Sequence, residues 1–405
     1  MRSRPSLALL LVPLLGLLPA LSGACKDGAD TPVATDAPDA GMSDAGAGGG
    51  SGGGGTGGAG GGSAGAGPEP LGYPVDAPGP FTVGHRTIET TYDAPGGVGS
   101  RTIVVHLWYP SHDATGTPAK YHKVFSDPDV FEGASLAPPA FPAGYPVHVF
   151  SHGDQGFAGN ASDQAHYFAT HGWVYAAPDH EGNLLGQGSG PHPLAIYFER
   201  PLDVRASLDA LRDLPASDEL AGKVDLAHVL MSGHSFGTFT AWTVGGSAFD
   251  QDAIRAACAK GDPVQCSEEK IAVFGTSLAE PRALAVIAQA GGPDPDFFGA
   301  SGYDAARVPY FVMSGTDDGA NVKGLYDEVT GVDLTYIAVK GGCHQLFGLG
   351  DCPMIANDVG YPIVNAYDLA FARYHVWGDR DPLVTGIVLG THQVSDLVTY
   401  LHKGP

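Results

Sequence analysis

Positive charge is what this chain has least of: 21 Lys and Arg stand against 44 Asp and Glu, a formal net charge of −23 over 405 residues. No cluster of basic residues occurs anywhere, so the electrostatic footprint that nucleic-acid binding requires is missing and that class is excluded. Long apolar runs are also missing. The longest, Leu7 to Leu21, is interrupted by Pro13, Gly16 and Pro19, whereas a membrane span needs about 20 apolar residues in succession. Cysteine is sparse and odd in number, five in all, with no C-x-x-C spacing. That argues against a zinc site. No metal and no cofactor is expected.

What is present begins with a leader. Arg2 and Arg4 precede the short apolar run, the layout of a secretory signal over residues 1–24. The run ends in Leu21-Ser22-Gly23-Ala24-Cys25, small residues leading to a cysteine, as in the lipobox of bacterial lipoproteins. Ser22 stands where a large aliphatic residue is usual. Cys25 is therefore the candidate lipidation site, and an ordinary signal cut nearby is the competing reading. From residue 25 to 70 there is almost nothing to bury, and residues 45–67 contain only Gly, Ala, Ser and Thr. Such a composition is expected to stay disordered and act as a tether, with an average reach of about 35–40 Å. The expected location is extracytoplasmic, either secreted or lipid-anchored in a bacterial envelope, with the membrane reached only through that N-terminal anchor. If Cys25 carries lipid, four cysteines remain for an oxidising compartment. The simplest of their three connectivities is local, Cys258 with Cys266 and Cys343 with Cys352.

Residues 71–405 suit one α/β domain. Short apolar runs predict strands at Thr102–Tyr109, Val147–Ser151, Trp173–Ala177, Val229–Ser232, Leu284–Ala288, Tyr310–Ser314 and Leu334–Val339. Several are apolar throughout, as expected for parallel strands buried on both faces. Alternation with helix-like stretches predicts a mostly parallel, doubly wound sheet. The strands near Phe81–Thr91 and Thr102–Tyr109 have no helix between them and are expected to pair antiparallel at one edge. Pro201–Leu214 reads as a helix, with Pro201 in its first turn, Val204, Leu208 and Leu211 on one face, and Arg205 facing Asp209. Residues 245–283 are too long for a simple connection and predict a small excursion beside the site.

The chemistry centres on Gly233-His234-Ser235-Phe236-Gly237, which follows the apolar strand and precedes the helix-like Phe239–Val244. Strand, Gly-x-Ser-x-Gly and helix together make a nucleophile elbow. Two other matches to the pattern, at 49–53 and 61–65, lie in the low-complexity tract and lack that context. A serine hydroxyl needs a base within reach and an acid to orient the base. On this fold they follow in the order Ser, Asp, His, each past the end of a later strand. Gly315-Thr316-Asp317-Asp318 and Gly341-Gly342-Cys343-His344 occupy those places. His344 is the expected base. Of the two adjacent aspartates, Asp318 stands three residues after the strand-ending glycine and is favoured, with Asp317 left as the alternative. His375, His392 and His402 follow the last expected strand, on expected helices. The loop Ser151-His152-Gly153-Asp154 can present a backbone N–H to an oxyanion, and the amide of Phe236 at the helix start supplies a second. His152 is expected to buttress that loop rather than to move protons. The segments Asn183–Tyr197 and Pro293–Phe298 are expected beside the pocket, where Phe297 and Phe298 either line a wall or simply pack.

Phe150-Ser151-His152-Gly153, then Phe168 through Trp173 to His180, then the elbow, resemble the α/β-hydrolases around plasma-type platelet-activating-factor acetylhydrolase and the bacterial dienelactone-hydrolase-like proteins. Val105-His106-Leu107-Trp108-Tyr109-Pro110 fits the edge strand of that group. The resemblance spans about residues 81–375 and implies carboxylic-ester hydrolysis without a metal, with oxyanion donors at the amides of Asp154 and Phe236. True dienelactone hydrolases carry cysteine at the elbow, so Ser235 argues against that reaction. The expected substrate is a small-molecule or lipid ester, with short acyl chains preferred. An acyltransferase with the same triad and a non-catalytic surface lipoprotein are the competing functions; the oligomeric state is not readable.

Overall fold

The computed structural model describes residues 72–187, 190–292 and 294–405. The leader, Cys25, the Gly-rich segment and its two extra Gly-x-Ser-x-Gly matches lie outside the described residues.

Among the described residues eleven strands form one sheet in the order β11-β10-β9-β8-β7-β5-β6-β2-β1-β4-β3. In chain order they are β1 (Thr82–Ala94), β2 (Gly99–Ser111), β3 (Pro118–Tyr121), β4 (Phe125–Glu132), β5 (Tyr145–Ser151), β6 (Val174–Pro178), β7 (Val224–His234), β8 (Ala283–Gln289), β9 (Tyr310–Gly315), β10 (Leu334–Val339) and β11 (Val398–Lys403). The six strands from β6 to β10 through β5 run parallel. Their apolar continuity has the expected cause. Val229 and Met231 of β7 face one core while Leu230 faces the other, and Val312 of β9 opposes Phe311 and Met313 in the same way. Helices Ile196–Arg212, Phe236–Val244 and Val322–Glu328 cover the first face; Ser162–Thr170, Asn357–Ala372 and Pro382–Val388 cover the second.

β6 lies on one side of β5 and β7 on the other, so the strand order reverses between β5 and β7. Crevices at such switch points, at the carboxyl ends of the strands, are where sheets of this kind bind ligands. Here those ends are Ser151 and His234.

Several local expectations need correction. β1 and β2 do pair antiparallel over thirteen positions, but the edge beyond them is made by β4 and β3, two short, largely polar strands whose weak apolar alternation hid them. β11 closes the other edge antiparallel to β10 and carries His402, expected on a helix. His375 sits in a π-helical turn, Arg373–Trp377, and His392 in the loop after Pro382–Val388. The helix expected from Pro201 starts at Ile196, because Ile196, Tyr197 and Phe198 are all buried and extend the packed face upstream. Pro201 thus lies inside the helix and forfeits one main-chain bond. Arg205 turns to the carbonyl of Ala279, at 2.9 Å, instead of to Asp209, which is taken by Arg212 and Arg282.

Candidate active site

β7 runs straight into the elbow helix, and the turn between them forces Ser235 to φ 56°, ψ −120°. A non-glycine residue held at positive φ carries backbone strain of about 1–3 kcal/mol. Both flanking glycines are required by space. A Cβ on Gly233 would collide with the carbonyl of Gly237, and one on Gly237 with the carbonyl of Ser151. The turn is fastened by the Ser235 amide, which donates to the carbonyl of Gln289 on β8 at 2.8 Å. Gln289 in turn donates to the carboxyl of Asp368, at 2.8 Å, and Gln164 donates to the same oxygen. Complete burial pushes the Asp368 carboxyl up to about 8, so it sits beneath the elbow largely as a neutral acid at neutral pH.

The ends of β9 and β10 bring two further groups together. His344 Nδ1 donates to Asp318 Oδ1 at 3.1 Å. That tautomer leaves Nε2 as an acceptor. The Asp318 carboxyl is 2% exposed and the His344 ring 37%. Asp317 is exposed, its amide bonded to the carbonyl of Gly342 and its carboxylate to Thr316 Oγ1. The structure therefore places Asp318, and not Asp317, on His344. His234 is buried and neutral, its pKa pushed down to about 3 by burial and by His344. Its Nε2 donates to the carbonyl of His344 at 3.0 Å, with ring centroids 4.6 Å apart. That bond ties the elbow to the histidine loop. Cys343 and Cys352 are at bonding distance, closing the loop immediately behind His344. Among the described residues no hydrogen bond joins the Ser235 hydroxyl to His344.

The third component is the loop after β5. A Cβ on Gly153 would stand 3.1 Å from Ser235 Cβ, so this loop lies against the elbow. His152 is fully buried and uses both ring nitrogens, accepting from the His180 amide at 3.1 Å and bonding the Gly153 carbonyl at 2.8 Å. Its role in the fold is to hold the loop. Among the described residues, the amides of Asp154 and Phe236 donate to no protein acceptor. The Asp154 carboxylate is held down at about 2 by His192, 3.1 Å away, and by Asn183, which donates at 2.7 Å. His192 also stacks on the Phe236 ring, centroids 5.3 Å apart.

Asn183–Tyr197 thus reaches the site through Asn183, His192 and Tyr197, the last packing edge-on against Phe236. Phe297 and Phe298 are buried and pack: Phe297 stacks on Tyr197, and Phe298 lies against Phe239 and Phe249. The excursion holds two helices, Gln251–Lys260 and Glu268–Val273, with Cys258 and Cys266 at bonding distance. Its Val264 accepts from the Leu194 amide and donates to the His192 carbonyl, so it braces the wall loop. Sequence reasoning placed Asn183 and His192 only within an expected wall segment, without a role for either, and missed Arg200. Arg200 sits in step with Val204, Leu208 and Leu211 on the buried face of its helix, and a cation on a core stripe is a legible anomaly.

No protein-family model matches the chain, and no curated protein matches it. Among solved structures it is similar to a ferulic acid esterase from Streptomyces cinnamoneus. The TM-score is 0.55 and the identity 19%, over 82% of this chain and 99% of that one. The likeness and the sheet order together show an α/β-hydrolase fold.

Proposed function

We propose that this chain is a serine esterase that cleaves carboxylic esters through an acyl-enzyme, and that it belongs with the acetylhydrolase and dienelactone-hydrolase-like group it resembles. The observation that carries the reading is the strained Ser235 at the switch point, with a bonded Asp318–His344 pair past the ends of β9 and β10. Ser235 Oγ attacks the ester carbonyl while His344 Nε2 takes its proton; Asp318 holds the ring by Nδ1 and stabilises the imidazolium. The negative charge that develops on the carbonyl oxygen is met by the amides of Asp154 and Phe236, each donor worth about 2.7–4 kcal/mol in the transition state. His344 then passes its proton to the departing alcohol. Water, deprotonated by the same nitrogen, releases the acid and restores Ser235. No step calls for a metal or a cofactor. The esterase name of the structural neighbour agrees in reaction type, and small soluble esters are the proposed substrates. Export by the leader, with lipid on Cys25 and residues 25–70 as a spacer, completes the proposal.

A fluorophosphonate probe should label the wild-type protein on the peptide containing Ser235. Ser235→Ala should neither label nor hydrolyse a short-chain aryl ester above background, while melting as the wild type does. Residual turnover in that variant would remove Ser235 from the role.

A further inference from the structure

Arg200 is fully buried on the helix Ile196–Arg212, and its guanidinium spends its donors at the candidate site. Nη2 donates to Ser151 Oγ at 3.0 Å and to the carbonyl of His152, the residue before the Gly153–Asp154 peptide. Nη1 donates to Asn183 Oδ1, and Asn183 Nδ2 donates to the Asp154 carboxylate. Nε donates to Thr240 Oγ1, one turn into the elbow helix, and the guanidinium carbon lies 4.7 Å from the centre of the Phe236 ring. One side chain therefore touches both segments whose amides, at Asp154 and Phe236, are free to meet an oxyanion.

The charge around it has the same bias. Of the two carboxylates beside it on its own helix, Asp203 is bonded by Arg101, Tyr92 and His180, and Glu199 faces Arg101 at 3.4 Å. A neutral relay connects Asp203 to Arg200: His180 Nδ1 donates to Asp203, Ser151 donates to His180 Nε2 at 2.9 Å, and Arg200 donates to Ser151. Burial pushes the guanidinium down to about 9, which still leaves it protonated at neutral pH. Among the described residues no carboxylate is bonded to Arg200 directly, and Asp154 is reached through Asn183. A buried cation without a bonded counter-ion is destabilising for a core. It becomes useful where negative charge appears during a reaction.

We propose that Arg200 is the positioning residue of the oxyanion site, fixing the Asp154 and Phe236 amides and lending its charge to the oxyanion. The proposal rests on the esterase reading above. A planar fork with donors on three nitrogens can serve His152, Ser151, Asn183 and Thr240 together, whereas a lysine ammonium cannot.

The test is steady-state kinetics on a soluble aryl ester with Arg200→Lys, Arg200→Ala and the milder Asn183→Ser, checked for folding by circular dichroism and melting. Arg200→Lys should lose roughly 10²-fold in kcat, the size of one lost oxyanion donor, with KM moved by less than about three-fold. Millimolar guanidinium should restore part of the activity of Arg200→Ala and none of that of Asp318→Asn. Asn183→Ser, which breaks only the branch to Asp154, should lose about 10-fold in kcat. Folded Arg200→Lys with wild-type kcat, or losses carried by KM alone, would overturn the proposal. If neither Arg200 variant folds, Asn183→Ser decides: unchanged kcat in that variant overturns it. Wild-type protein that fails to label at Ser235 would sink the esterase reading itself, and this inference with it.

Discussion

The two sides of the candidate site are built on opposite principles. On the β9–β10 side, Asp318 and His344 share a single bond of 3.1 Å, and the imidazole is left more than a third exposed. On the β5 side, Ser151, His152, His180, Arg200 and Asp203 are all buried and joined by a continuous run of hydrogen bonds. On the proposed esterase reading His344 passes a proton between the serine oxygen and the leaving group, so its Nε2 edge has to stay open to the substrate. Amides that only have to be in place when charge develops gain from rigidity, because a preorganised dipole needs no rearrangement during the reaction. The less buried half is held from behind by the Cys343–Cys352 bridge and by the His234 bond from the elbow, and the buried half by a polar network.

The largest loss is expected from removing the bond between Asp318 and His344. Asp318→Asn should lower kcat by about 10⁴-fold, since the amide favours the wrong imidazole tautomer. Asp317→Asn should stay within about two-fold. A larger loss from the Asp317 variant, measured in the same ester assay, would reverse the assignment of the acid.

The bridges offer the next largest effect. Replacing either cysteine pair by serine should lower unfolding free energy by roughly 2–3 kcal/mol, the loop-closure value for about ten residues. Their kinetic effects should differ. Loss of Cys343–Cys352 should reduce kcat, because it frees the residue next to His344. Loss of Cys258–Cys266 should act mainly on KM, because Val264 braces the loop that bears His192. Urea titrations paired with kinetics would show this, and identical kinetic profiles for the two variants would contradict it.

The smallest effect concerns the buried acid beneath the elbow. Asp368 binds its proton more tightly folded than unfolded, so its contribution to stability is fully present below the unfolded value near 3.9. It is lost progressively as pH rises toward about 8. Asn keeps an acceptor for Gln164 and Gln289 and cannot ionise. Asp368→Asn should therefore gain on the wild type between pH 5 and pH 8.5 by at least about 1 kcal/mol, roughly 2–4 °C in melting temperature. Parallel stability curves for the two proteins would refute the neutral-acid assignment.

Much of the architecture is legible in the sequence itself. Strands buried on both faces must be apolar throughout, so the runs at β5 to β10 announced a parallel sheet. The elbow announced itself because its two glycines are dictated by backbone contacts within a few residues. Asp318 and His344 could be located because each sits at a fixed offset from a strand end. Local and periodic constraints of this kind are written directly into sequence. The choice between Asp317 and Asp318 needed the fold, since neighbouring residues point opposite ways and only the turn after β9 selects which one meets His344. The short edge strands β3 and β4 escaped because they bury little and so leave little pattern. Arg200 itself stands out as a cation on an apolar stripe, but the partners of its network were out of reach for a different reason. Its members come from β1, β2, β5, β6 and the segments that follow, separated by up to about a hundred residues. A buried polar group is satisfied by whichever partners the packed chain brings to it, and that pairing leaves no period in the sequence. Tertiary structure alone decides it.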